Sequence, residues 1–115
     1  MGTRDTLETN PLTTVLVVGG PDALIDSARR ASRLVPAAEV ESCELRDAAT
    51  KAAQLWPFAI LISEDLYAFD AAEFDALARD VNSHVIPVRL TAAGRLAKEN
   101  DLQAKLLAAY RKRNE

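Results

Sequence analysis

Two places in this chain put residue types capable of chemistry directly behind an apolar run. Val15-Leu16-Val17-Val18 leads into Gly19-Gly20-Pro21-Asp22, and Phe58-Ala59-Ile60-Leu61-Ile62 leads into Ser63-Glu64-Asp65. A glycine turn opening a helix lets backbone N–H groups approach a phosphate, which the positive helix end favours. This turn lacks the G-x-G-x-x-G spacing and the Gly-Lys-Ser/Thr of a P-loop. Its plainer reading is a tight turn, with Asp22 a first-turn acid suited to the helix dipole. Ser63 is a nucleophile only with a base in reach, and Glu64 and Asp65 bind a metal only with further ligands. The one histidine, His84, falls at the opposite end of its strand from Ser63. The one cysteine, Cys43, reads as a small packed side chain. One Cys and one His far apart in sequence give no metal site. No catalytic residue, metal or cofactor is expected.

The elements that must position these residues follow from periodicity. The 115 residues suffice for one domain. Hydrophobic residues at 49% and charged residues at 27% place the chain among globular proteins. Aromatics are only 5%, so alanine supplies much of the core and helices can pack closely on a sheet. Met1–Asn10 is polar and reads as a flexible arm, the arm extending to Thr13 and a single domain running over 14–115. The first and third strands, about Thr14–Val18 and Phe58–Ile62, are unbroken apolar runs, as in strands buried on both faces. The second strand, Ala38–Cys43, alternates with Glu39 and Glu41 and reads as an edge. The fourth, Val85–Leu90, contains Pro87, which argues against a central position.

Helices are expected between the strands. The first is Asp22–Val35, stopped by Pro36; the second is Arg46–Leu55. The third is capped by Asp70 with Glu73 in a capping box, after a loop over Ser63–Phe69. The last covers about Arg95–Lys112, after a turn at Thr91–Gly94. Strands alternating with helices imply parallel pairing and right-handed crossovers. The fold expected is therefore α/β, a three-layer flavodoxin-like sheet of four parallel strands in order 2-1-3-4. The second and third helices cover one face, and the first and last cover the other. In such a sheet ligands sit beyond the carboxyl ends of the strands, where the order reverses. Gly19, Gly20 and Ser63 stand there.

Val15-Leu16-Val17-Val18, Glu39-Val40-Glu41-Ser42, Pro57-Phe58-Ala59-Ile60-Leu61-Ile62 and Ile86-Pro87-Val88-Arg89-Leu90-Thr91-Ala92, in this order, resemble the response-regulator receiver domain. The likeness covers roughly Thr14 to Ala93 and rests on layout and strand-end phrases. It implies a phosphoacceptor aspartate at the end of strand 3, an acid pair for Mg²⁺ after strand 1, a Thr or Ser after strand 4 and a Lys after a fifth strand. Carried over, the acceptor falls on Ser63, the acid pair on Gly19 and Gly20 beside Asp22, and the Thr on Thr91. The Lys has no counterpart. Glycines offer Mg²⁺ no carboxylate oxygen. What the resemblance implies is a degenerate, truncated pseudo-receiver, a module of two-component signal transduction without its chemistry.

The expected function is accordingly a non-catalytic signalling or scaffold module that acts by protein–protein contact. Two other readings stand beside it: a small nucleotide- or phosphate-binding module using the Gly19-Gly20 turn, and a regulatory domain excised from a larger signalling protein. The net charge of −3 gives no electrostatic case for nucleic acid. No apolar run approaches the ~18 residues of a membrane span, the N-terminus has no signal-like apolar core, and a lone cysteine fits a reducing cytoplasm. A homodimer is expected through the free edge of strand 4 and the last helix. Its candidate interface is Val88, Arg89, Leu90, Leu102, Leu106, Leu107 and Tyr110. Trp56, Tyr67 and Phe69 read either as interaction anchors or as packing residues.

Overall fold

Four five-residue strands pair in parallel in the order β2-β1-β3-β4. In chain order they are β1 (Thr14–Val18), β2 (Glu39–Cys43), β3 (Ala59–Ser63) and β4 (His84–Val88). The computed structural model describes residues 13–35, 38–92, 97 and 99–113. Between the strands lie α1 (Asp22–Ala31), α2 (Ala48–Leu55), α3 (Glu64–Phe69) and α4 (Ala71–Asp80), and α5 (Glu99–Arg113) follows β4. The two central strands are the two unbroken apolar runs, as the sequence requires. The edges are the acid-bearing β2 and the proline-bearing β4.

Strand alternation divides the core in two. Val15, Val17, Leu61, Ile86 and Val88 point to one face, against Leu24, Ala28 and Ala31 of α1 and Leu102, Leu106 and Ala109 of α5. Leu16, Val18, Ile60 and Ile62 point to the other, against Ala48 and Ala52 of α2 and Phe74 and Ala78 of α4. Each helix presents small residues to the sheet, which lets it sit close. The result is the expected three-layer α/β architecture, a flavodoxin-like arrangement. Among the described residues no helix is long and apolar enough to cross a membrane.

Several local expectations are corrected. The segment Ser63–Phe69 is not a loop: Glu64–Phe69 forms α3, with Ser63 at its cap. Asp70 does not close a capping box, because its side chain makes no cap bond and its φ of −152° belongs to a junction between two helices. α1 stops at Ala31 and tightens into a 3₁₀ turn over Ser32–Leu34. There the buried Ser32 hydroxyl donates to the Ala28 carbonyl at 2.7 Å, a local bond that competes with the regular helix. The second helix also begins late, after a 3₁₀ turn at Leu45–Asp47. β4 ends at Val88 rather than Leu90. Thr13, assigned to the arm, is buried, so the packed domain includes it. The rest of the arm, Pro36, and Gly94 to Leu96 lie outside the described residues.

Candidate functional site

The crevice at the carboxyl ends of the strands is built by three chain turns. After β1, Gly19 takes φ +64°, the left-handed region, and its N–H donates to the Cys43 carbonyl at the end of β2 (2.8 Å). Gly20 follows where no side chain fits: a Cβ there would meet Leu24 Cδ2 at 2.6 Å and Val17 Cγ1 at 3.0 Å. These glycines are explained by backbone conformation and packing. The Gly19 N–H is engaged, Pro21 has none, and the N–H groups of Leu24 and Ile25 return to the Pro21 carbonyl at 2.9 and 3.2 Å. Asp22 adds an exposed carboxylate to the first turn of α1, the wrong sign for an anion site.

After β3, the Ser63 Oγ accepts from the Leu66 N–H at 3.3 Å. That bond satisfies one of the free donors at the start of α3, and Glu64 and Asp65 occupy the dipole-favoured first turn. Ser63 is therefore a cap, and the one histidine of the chain is not beside it. His84 begins β4 and pairs in register with Ala59, whereas Ser63 pairs with Val88 at the other end. Burial, and then the positive charges of Lys112 and Arg113, push the His84 imidazole below its ordinary pKa.

The residue that decides the crevice is Leu66, within the segment expected to be a loop. Its Cδ1 lies 3.0 Å from where a Gly19 side chain would begin, and the half-buried side chain joins the core between β1 and α4. The signal for it was present: Ser63 followed by two acids is an N-terminal helix signature. The position four residues after Ile62 then falls back over the strand end. Across the mouth, Arg89 Nε donates to Glu64 Oε1 at 3.2 Å. Both side chains are largely exposed, so this ion pair is worth about 0–1 kcal/mol and serves to orient rather than stabilise. Thr91 is exposed and stands beyond the end of β4, not at its tip. The five positions read as a degenerate pocket stand on the turn after β1, in the first turn of α1, at the α3 cap and beyond β4. Among the described residues no three His, Cys, Asp or Glu groups gather as a metal site.

Cys43, at the end of β2, is half-buried beside the same core. Burial and the charge of Asp47 raise its thiol pKa, and Lys51 opposes them weakly, so the thiolate is disfavoured.

The candidate interface residues differ in burial. Val88, Leu102 and Leu106 are core residues. Leu90, Leu107 and Tyr110 are half-buried against the same cluster, and Tyr110 meets Phe58 edge-on at 5.7 Å. The outward residue of that set is Arg89, already paired with Glu64. Of the three aromatics, Tyr67 donates to Asp75 at 2.8 Å and ties α3 to α4. Trp56 and Phe69 are 46% and 87% exposed. Trp56 adopts a left-handed φ of 47° at the end of α2, and its carbonyl and that of Pro57 accept from Arg113 at 3.2 and 2.7 Å.

One expected result follows for Ser63. Replacing it by alanine removes the α3 cap, and a cost of about 0.5–1 kcal/mol is expected, the low end for a cap because the bond is long and half-exposed. Urea unfolding of Ser63→Ala checks this. A stability equal to the parent's would show that the Ser63 hydroxyl does not cap α3. Compared with known proteins, the chain matches no family model, no curated protein and no solved structure.

Proposed function

We propose that this chain is a non-catalytic, receiver-like interaction module of signal transduction that works in a reducing cytoplasm through contact with another protein. The observation that supports this reading is the filling of the strand-end crevice: Leu66 lies over Gly19, and the Ser63 hydroxyl is spent on capping α3. A site that held an aspartyl phosphate would need a carboxylate nucleophile and oxygen ligands for Mg²⁺. The corresponding positions here carry a cap serine and two glycines, each accounted for by packing. With the crevice committed to structure, the remaining recognition chemistry lies on the outer faces and sheet edges. The lone half-buried Cys43 fits that compartment.

The test is direct. Incubation with acetyl phosphate and Mg²⁺, followed by intact-mass measurement, is expected to show no phosphoryl adduct. A stoichiometric adduct that depends on Mg²⁺ would overturn the non-catalytic reading.

A further inference from the structure

The edge of β4 is not uniform, and its polarity can be worked out bond by bond. The His84 N–H donates to the Phe58 carbonyl (3.2 Å), so His84 turns its peptide groups toward β3. Alternation along a parallel ladder then turns Ile86 and Val88 the same way. Val85 and Pro87 consequently face the open edge. Pro87 loses no ladder bond there, because its missing N–H points away from β3. Arg89 is the next outward residue, and its carbonyl is already taken by the Ala97 N–H at 3.0 Å. Within His84–Val88 the edge offers a newcomer one donor, Val85 N–H, and two acceptors, Val85 C=O and Pro87 C=O.

Beside this edge runs a groove of about 350 Å³ between β4 and α5. Its floor is Ile86 and Pro87, and on the α5 side Ala108 and Ala109 are too short to fill it. Lys105 and Lys112 flank those alanines, seven positions apart on one face of α5, which is about 10.5 Å along the axis. His84 closes the lower end, beside Arg113, whose guanidinium is anchored on the Trp56 and Pro57 carbonyls. The titratable groups lining this groove are all basic: His84, Lys105 and Lys112. Among the described residues, acids stand at its upper continuation, namely Asp101 and the Arg89-paired Glu64.

We infer that β4 and α5 form the docking site for an extended acidic segment of a partner protein, added to the sheet as a fifth strand over Val85 and Pro87. The inference rests on, and gives a partner chemistry to, the interaction-module reading above. Strand addition takes its affinity from main-chain hydrogen bonds and its selectivity from the alternate side chains. Here those side chains face the apolar floor and the two lysines, so carboxylates on the α5 side of the strand meet opposite charge. A second copy fits less well, because a two-fold pairing of β4 with itself brings Lys105 and Lys112 of one chain toward the same lysines of the other.

The experiment uses the full chain, ¹⁵N-labelled, and the acetylated, amidated peptide Glu-Val-Glu-Val-Glu-Val as probe. In the free protein the Val85 amide is expected to exchange rapidly with solvent. Peptide should slow it at least tenfold and shift Val85 and Ile86, leaving Val40 on the opposite edge unmoved. The affinity should fall at least tenfold in Lys105→Glu/Lys112→Glu and with rising salt. It should be lost when the peptide is N-methylated on alternate amides, a change that keeps its charge. Lys105→Gln/Lys112→Gln supplies a milder second variant, expected to weaken binding less than the reversal. Four outcomes overturn the proposal: no shift at millimolar peptide, shifts at Val40, indifference to either lysine variant, or slow Val85 exchange in the free protein accompanied by a dimeric mass. The acetyl phosphate experiment is independent of all four. Failure of the peptide with no adduct removes the strand-addition site alone, whereas an adduct removes the module reading itself.

Discussion

Leu106→Ala is expected to destabilise the protein by about 2–5 kcal/mol, whereas Leu107→Ala is expected to cost about 1 kcal/mol or less. The two leucines are neighbours in sequence and about 100° apart around the helix, so only one can point straight into the sheet. Leu106 is fully buried among Leu24, Phe58 and Leu61, whereas Leu107 is half-buried at the margin of the same cluster. Removing the Leu106 side chain deletes its buried contacts and leaves a cavity, and both terms add. Removing Leu107 exposes no closed cavity, because solvent already reaches the site. Urea unfolding with unchanged m values checks the pair. The reverse order of costs would mean that α5 is rotated, and the groove beside β4 would then be lined by other residues.

Gly20→Ala is expected to cost about 1–3 kcal/mol through overpacking. The new Cβ would lie 2.6 Å from Leu24 Cδ2 and 3.0 Å from Val17 Cγ1, and both side chains are fully buried. The leucine tip can give way only by displacing the core that α1 shares with α5. Coupling to Leu24 separates this cause from others. In a Leu24→Ala background the clash is gone, and Gly20→Ala should then cost a small fraction of its effect in the parent. A full cost in both backgrounds would show that the backbone, not the leucine, forbids the side chain. A variant as stable as the parent would reopen the reading in which Gly20 exists to let a ligand approach.

The crevice illustrates how ordinary folding requirements produce residues that look functional. Gly19 adopts a left-handed φ to carry its N–H to the Cys43 carbonyl. Ser63 is polar at a strand end because a helix starts there and needs a cap. Asp22 is acidic because it sits in a first helical turn. Each has a local physical cause, and among the described residues no three metal-ligating groups gather there.

The sheet was legible in the residue pattern. Unbroken apolar runs at Val15–Val18 and Ala59–Ile62 can be satisfied only by burial on both faces. The glutamates of β2 and the proline of β4 tolerate only an edge, and helices between parallel strands dictate right-handed crossovers. Those constraints are periodic and local, and they yield the 2-1-3-4 order without knowledge of any contact. Which faces the helices cover was also legible, from the spacing of Leu24, Ala28 and Ala31 and of Phe74 and Ala78. The use made of each surface came from long-range packing. Ser63 and the two acids after it mark a helix start, but Ser63–Phe69 is too short to show helical periodicity, so the placing of Leu66 over Gly19 depended on packing against β3 and α4. The leucines of α5 are apolar around more than one stripe. Only the angle at which that helix crosses the sheet sent Leu102 and Leu106 into the core and left Lys105 and Lys112 beside an open strand. An edge in sequence is a composition; whether it is covered, and by what charge it is flanked, is a matter of where a distant helix comes to rest.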